Sequence, residues 1–217
     1  MAKAFSISGQ HYLFDVQTFA QVVLATGGDG FHYQLFDRTT QGVMEDVVTG
    51  RCDLGVLVKT TENAGELKAE LEASGLEFHF LSESAPRIAL PASHPMVNAD
   101  ELTLEAMADY PYIYFYQGED APVHLHEEAL AAIPRSKTIA CTDRASLSEL
   151  IVALNGYTVT SGILVGISDG SLLKTVPLKT DVRLQLGYIT RADAQLDAME
   201  ARFVEKLSQN LERYAHL

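Results

Sequence analysis

A chain of 217 residues, 47% of them hydrophobic, with mean hydropathy of +0.04, can bury a sizeable core, which excludes a disordered polymer. Its 16 Lys and Arg against 29 Asp and Glu leave a formal charge of −13. That charge repels phosphate backbones and anionic membrane surfaces, so this polypeptide alone is not expected to bind DNA. The amino-terminal MAKAFSISGQ lacks the apolar stretch of a secretion signal, and no run approaches the ~20 apolar residues of a membrane span; a cytoplasmic location without membrane contact is expected. Cys52 and Cys141 show no CxxC spacing and read as two ordinary buried thiols.

Strand-like and helix-like segments alternate along the chain, which is the pattern of a mostly parallel sheet covered by helices on both faces. AFSISG (4–9) reads as a strand. A helix over 14–25 follows, with Val16, Phe19, Ala20 and Val23 on one face, stopped by Gly27, Gly28 and Gly30. FHYQLFD (31–37) is a second strand, and 40–49 a helix with a stripe of Val43, Met44, Val47 and Val48 ended by Gly50. LGVLV (54–58) is a short apolar run of the kind buried on both faces, and so central in its sheet. After a polar helix over 64–74, the extended stretch 76–93 is too long for one small sheet, and a crossover between two compact units is expected near Pro86.

The pattern then begins again. A short helix near 104–109, the strand YIYFY (112–116), a helix near 124–132, the strand KTIACT (137–142) and a helix over 144–155 form a second unit. In that last helix Leu147, Leu150, Ile151 and Leu154 make the buried face, Asp143 is the N-cap and Gly156 the stop. Strand-like pieces at 158–162, 173–178 and 183–190 lead to a long closing helix. Thr190 and Asp193 have capping-box spacing, and Leu196, Met199, Phe203, Leu207 and Leu211 supply the apolar side. The chain is expected to return to the first unit near Tyr188, which makes Pro86, Arg87, Tyr188 and Ile189 hinge residues. No internal repeat is visible.

Four segments taken in order resemble the effector-binding domain of LysR-type transcriptional regulators: VMEDVVTGRCDLGVLV (43–58), RIALPASHPMVNADELTLEAMADYPYIYF (87–115), ELIVALNGYTVTSGIL (149–164) and VPL with LGYITR (176–191). No single piece is specific, but their order and spacing together are, and the likeness covers almost the entire chain. One departure is TVTSGIL (158–164), where relatives carry a glycine-rich turn ending in proline. Relatives also carry a winged helix-turn-helix and a linker helix ahead of the first strand, whereas here Met1, Ala2 and Lys3 lead directly into it. The chain then reads either as a piece cut from a longer regulator or as a free-standing sensor.

The resemblance implies an α/β fold of two Rossmann-like lobes joined by two hinge crossovers, type 2 periplasmic-binding-protein-like, with lobe I at 1–86 plus 190–217 and lobe II at 87–189. No catalysis, no cofactor and no bound metal are expected. The expected partners are a small-molecule effector in the inter-lobe cleft and a second copy of the chain. Pairing is expected through the helix at 14–25 and the second lobe, giving a tetramer at full length, with DNA reached only through a separate domain.

In such a fold, ligands bind in the crevice at the carboxyl ends of the strands, where helix N-termini offer unpaired N–H groups and partial positive charge. That environment suits a carboxylate or another small anion. The strand ends here are Ser8, Gly9, Gln10 and His11; Arg38, Thr39, Thr40 and Gln41; Tyr116, Gln117 and Gly118; Asp143 and Arg144; and Thr160 and Ser161. The resemblance places effector contacts on the first three of these groups and on Thr160 and Ser161. Each has an ordinary alternative. Thr39 and Thr40 can cap the helix they begin, His11 can be solvated, and Arg38 can pair with a surface acid. Arg87 reads as a hinge-strand residue paired with an acid, His94-Pro95 as a turn, and Asp53 as a structural turn acid.

Two other classes compete. A small α/β enzyme would need a site, but His124 and His126 in VHLHEE diverge on a helix and lack a third ligand, and Ser161 lies in TSG, not in a GxSxG elbow. A free-standing solute receptor of the periplasmic type would share the architecture, and the missing export signal argues against it.

Overall fold

The computed structural model describes residues 5–27, 30–165 and 171–214. Ala4, at the start of the expected first strand, and Gly28, in the expected helix stop, lie outside them.

In chain order the elements are β1 (Ser6–Gly9), α1 (Leu13–Thr26), β2 (Gln34–Asp37), α2 (Thr40–Val48), β3 (Leu54–Thr60), α3 (Ala64–Ala73), β4 (Leu76–Ser84) and β5 (Arg87–Pro91). There follow β6 (Tyr112–Phe115), a 3-10 turn (Val123–Leu125), β7 (Thr138–Cys141), α4 (Arg144–Leu154), β8 (Thr158–Thr160), β9 (Leu173–Pro177), β10 (Leu184–Arg191) and α5 (Ala198–Tyr214).

The first sheet has the order β2-β1-β3-β10-β4, with β1, β2 and β3 parallel and β10 antiparallel to both of its neighbours. β3 is the middle strand and Leu54, Val56, Leu57 and Val58 are buried, as its unbroken apolar run requires. The second set of strands pairs as β8-β5-β9 and β6-β7. A parallel bridge at Tyr112 and Tyr157 connects the two groups, with the Ile113 N–H donating to the Tyr157 carbonyl (2.8 Å) and the Tyr157 N–H to that of Pro111 (2.9 Å). The resulting order, β7-β6-β8-β5-β9, repeats that of the first sheet. In each, a first strand lies between two parallel partners, and a strand arriving from the other half runs antiparallel between the third strand and the edge. Both sheets are therefore mixed rather than mostly parallel, because each half must accept a strand that enters from the opposite side. A repeat absent from the sequence is present in the topology.

Two crossings connect the halves. One lies between β4 and β5, where Pro86 is buried and its carbonyl accepts from the Leu178 N–H (3.2 Å). The other lies between β9 and β10, at 178–183. The return is thus earlier than Tyr188. Tyr188 and Ile189 sit inside β10, registered with Val56 and Gly55 of β3 on one side and with His79 and Phe78 of β4 on the other. The hydrophobic pattern of 183–190 marked a strand but could not tell which sheet owned it. Arg87 also differs from expectation: it bonds the Oγ1 (2.9 Å) and carbonyl (3.1 Å) of Thr175, tying β5 to β9.

Five helix readings need correction. Around α1 the buried residues are Phe14, Asp15, Thr18 and Val22, whereas Val16, Phe19 and Val23 are half-buried and Ala20 is exposed. α1 is apolar on several sides, and α5 decides which side turns inward: its Asn210 donates to Thr18 Oγ1 (2.8 Å) and Gln21 Oε1 (3.0 Å). Residues 104–109 form turns closed by i→i+3 bonds such as Met107 N–H to Leu104 O (3.1 Å), and 124–132 holds only the end of the 3-10 turn. On α4, Leu147 and Ile151 are buried and Asp143 caps the helix through the Ser146 N–H (2.8 Å), but Leu154 is 44% exposed. The capping box of α5 uses Asp197 and Glu200, not Thr190 and Asp193. Asp197 Oδ1 accepts from the Met199 and Glu200 N–H groups, and Glu200 Oε2 accepts from the Asp197 N–H (2.8 Å). Thr190 is still within β10.

Phe203, Leu207 and Leu211 of α5 are fully buried against the first sheet, together worth roughly 5–9 kcal/mol at 1.5–3 kcal/mol each. Replacing Asp197 by Ala is expected to cost about 1 kcal/mol, read as a lower denaturation midpoint without a change of slope.

Candidate functional site

The carboxyl ends of β1, β2 and β6 meet at the seam between the halves, and a chain of buried hydrogen bonds runs across it. The Val58 N–H donates to Gln10 Oε1 (2.7 Å), and Gln10 Nε2 donates to Thr40 Oγ1 (2.6 Å). The Thr40 N–H donates to Gln117 Oε1 (3.0 Å), and Gln117 Nε2 donates to Glu127 Oε1 (2.8 Å). Back in the first half, the His11 N–H donates to Glu127 Oε2 (3.0 Å), and His11 Nδ1 meets Glu127 Oε1 at 2.7 Å. Gln10, His11, Thr40, Gln117 and Glu127 are all buried. Two amide side chains, each able to donate and accept, relay a directional pattern between lobes, and burial makes each link costly to leave unmade.

His11 is stacked on Phe115 at the end of β6, ring centroids 4.1 Å apart. Burial pulls the His11 imidazole toward lower pKa, but the hydrogen bond and charge of Glu127 outweigh it, and the net shift is upward. Tyr12 follows with its hydroxyl donating to the Glu127 carbonyl (3.0 Å). Arg144, at the start of α4, donates to the Tyr12 carbonyl (3.2 Å) and to Asp37 Oδ2 (2.5 Å), a second tie between the halves.

Two further acids are enclosed beside this group. Asp15, in the first turn of α1, lies under Gly9, where an added Cβ would fall 2.1 Å from Asp15 Oδ2. Burial pushes the Asp15 carboxyl up to about 8, with Arg144 pulling partly the other way. Burial and then the neighbouring Glu127 charge push Glu128 up to about 8 as well; its Oε1 accepts from the Phe115 N–H (2.7 Å). Asp15 Oδ2 and Glu128 Oε2 have no hydrogen-bond partner among the described residues, an arrangement tolerable for a neutral carboxyl and costly for a charged one.

The remaining site candidates are placed as follows. Ser8 is buried and donates to Asp46 Oδ2 (2.9 Å), which also accepts from Arg38 Nε (3.1 Å), so these two belong to a separate group around Asp46. Thr39 is the N-cap of α2, its Oγ1 accepting from the Gly42 N–H (3.1 Å). Tyr116 is 42% exposed next to the seam, and its N–H donates to the Cys141 carbonyl (2.8 Å). Thr160 closes β8 opposite Arg87, and the buried Ser161 accepts from the Ile163 N–H (3.4 Å). His94 stands in a turn, its Nδ1 accepting from the Met96 N–H (3.1 Å).

Sequence reasoning missed Glu127, Glu128, Asp15 and Phe115. VHLHEE reads as part of a helix near 124–132. The structure instead buries Leu125 among Val43, Leu67 and Leu71, joins His124 Nε2 to Glu70 Oε2 (2.5 Å), and turns Glu127 into the seam. Two adjacent acids ahead of Ala129 and Leu130 were the signal, but without a regular element nothing in the sequence gave them a direction. No group of three His, Cys, Asp or Glu able to hold a metal occurs among the described residues, and no described helix is long and apolar enough to cross a membrane. Burial pushes the Cys141 thiol up to about 11, so thiolate, the reactive form, is scarce there at neutral pH.

The LysR substrate binding domain family matches residues 29–212. No curated protein matches the sequence. Among solved structures, the oxidized form of Corynebacterium glutamicum OxyR is similar at 14% identity and a TM-score of 0.67, over 99% of this chain and 65% of that one. HinK, a LysR family transcriptional regulator from Pseudomonas aeruginosa, is similar at 18% identity and a TM-score of 0.64, over 97% and 71%. The effector binding domain of QuiR in complex with shikimate is similar at 14% identity and a TM-score of 0.63, over 98% and 99%. The chain spans about two thirds of the length of the first two proteins. At these identities the structural likeness speaks for the fold. With paired mixed sheets, two crossings and a family match over most of its length, this chain belongs to the LysR substrate-binding domains, ligand-sensing and non-enzymatic modules with a type 2 periplasmic-binding-protein-like fold.

Proposed function

We propose that this domain senses a small carboxylate or similar anion in the cleft between lobe I (1–86 with 184–217) and lobe II (87–183), the ligand being read by Ser8, Gly9, Gln10, His11, Arg38, Thr39, Thr40, Tyr116, Gln117, Thr160 and Ser161. The observation that carries this reading is the buried chain Gln10–Thr40–Gln117–Glu127–His11, in which donors from both halves converge on a carboxyl group. A ligand touching both halves favours the closed arrangement by its differential affinity for that state. Pro86 and Arg87 frame one crossing of the hinge, and residues 178–183 form the other. The domain works in the cytoplasm, without a cofactor.

The test is a thermal-shift screen against small carboxylic acids, shikimate among them because it is the ligand of QuiR. At about 100 times its Kd, an effector should raise Tm by roughly 5–10 °C, and Thr40→Val should reduce that shift. A screen in which only neutral or cationic compounds stabilise would sink the anion reading.

The same reading pairs the chain with a second copy through α1 and the second half. In the full-length regulator such pairs join into tetramers, and a separate segment contacts DNA. Leu24 of α1 is 87% exposed beside a shallow cavity of about 540 Å³ between α1 and α5. Sedimentation of the domain at micromolar concentration is expected to give a dimer, and a monomer there would remove this part of the reading.

A further inference from the structure

Glu127 is held from both directions. Its two oxygens accept three hydrogen bonds, from the His11 N–H, His11 Nδ1 and Gln117 Nε2. These donors lie at the ends of β1 and β6, the place where a two-lobed fold receives a ligand. Bidentate capture by a backbone N–H, a ring nitrogen and a side-chain amide is how a protein recognises a free carboxylate.

The segment that brings Glu127 there leaves the second half at Gln117 and fastens onto the first. Leu125 is buried among the residues between α2, α3 and β3; Asn63 Nδ2 donates to the His124 carbonyl (2.9 Å); and the Leu130 N–H donates to Glu62 Oε2 (2.9 Å). The carboxyl group thus arrives on an arm docked across the seam.

We propose that Glu127 is a resident carboxylate that fills the anion place of the cleft, so that an effector carboxylate acts by displacing it. This rests on the proposed function and deepens it: the protein supplies its own occupant, which holds the lobes together without ligand, and the effector competes with a side chain and not with water. The competition sets a requirement on the ligand. It must present a carboxylate to the His11 and Gln117 donors, and it must bring further contacts that the tethered Glu127 lacks, because a tethered group has the advantage of high effective concentration.

Removal of the side chain should leave a place that a free carboxylate can refill. In Glu127→Ala, acetate at about 100 mM is expected to raise Tm by at least about 3 °C more than chloride at the same pH and ionic strength, while wild type responds alike to both salts. Equal responses to the two salts in a folded Glu127→Ala protein would overturn the proposal. If Glu127→Ala does not fold, the comparison is run on Glu127→Ser, which also vacates the place of the carboxyl group. Acetate-specific stabilisation there supports the proposal, and its absence overturns it.

The acetate result does not depend on which metabolite the domain senses. Rescue of Glu127→Ala with no carboxylate hit on wild type would leave the resident carboxylate standing and remove the sensing reading. A carboxylate hit on wild type without rescue would do the reverse.

Discussion

Asp15→Asn is expected to stabilise the domain at alkaline pH and to leave it nearly unchanged near pH 4. The carboxyl of Asp15 is raised from 3.8 to about 8 in the folded protein. Between those values the folded state keeps a proton that the unfolded state has lost, so stability falls as pH rises through that window. The loss is complete only above the folded value. About four pKa units at ~1.4 kcal/mol each set an upper bound on the order of 5 kcal/mol. Glu128, raised from 4.5 to about 8, adds a penalty of the same sign over almost the same window. His11 also tilts this way. Its raised pKa contributes stability that is present in full below 6.5 and is lost as pH rises through the folded value.

Wild-type Tm should therefore decline steadily from about pH 5 to about pH 9, and Asp15→Asn should recover roughly 5–10 °C at the upper end. Melting by circular dichroism across that range checks both statements. An Asp15→Asn protein that loses as much stability as wild type between the two extremes would show that Asp15 is not held neutral. Gly9 is part of this account, since the Asp15 carboxyl occupies the space where any other residue would place its Cβ.

Gly187→Ala is expected to destabilise the domain by about 3 kcal/mol or more, a Tm loss of roughly 6–12 °C. A methyl group there would stand 2.2 Å from the His79 carbonyl oxygen and 2.6 Å from Phe78 Cζ. The oxygen belongs to the backbone of β4, the neighbour of β10, and it cannot rotate aside as a side chain end would. The register of β10 on β4 shifts between Leu186 and Gly187, so the close approach marks an irregularity in the pair of strands that leads to both crossings. Gly65→Ala in α3, where a Cβ meets nothing within 4 Å, is the control. It is expected to gain about 0.5–1 kcal/mol from helix propensity. Urea denaturation measures both, and a Gly187→Ala protein within about 0.5 kcal/mol of wild type would contradict the packing of these strands.

The element readings that held share a feature. LGVLV (54–58) is apolar throughout, and a strand buried on both faces requires no less; α2 and α4 carry their caps, Thr39 and Asp143, at the residue before the helix. The readings that failed turn on choices among equivalent local signals. Capping-box spacing occurs at Thr190 and Asp193 as well as at Asp197 and Glu200, and only the extent of β10 excludes the first. The apolar residues of α1 allow more than one inward face, and Asn210, 192 positions away from Thr18, selects among them.

The candidate site divides in the same way. Gln10, His11, Thr40 and Gln117 were legible because strand ends and helix starts are local features, and in a two-lobed fold those features collect at the seam. Glu127 and Glu128 were not, because 117–136 contains no regular element beyond a 3-10 turn, and without a period no sequence pattern says which way a side chain points.

The sequence by itself determined the α/β alternation, the two halves, the crossover at Pro86 and the polar strand ends, since each follows from residue pattern over a few turns or strands. Tertiary structure alone decided that β10 belongs to the first sheet, that both sheets share one strand order, and that a carboxyl from the second half sits among donors of the first. Those outcomes depend on contacts between residues far apart in the chain, and a hydrogen bond such as that from His11 to Glu127, across 116 positions, leaves no periodic trace in either segment it connects.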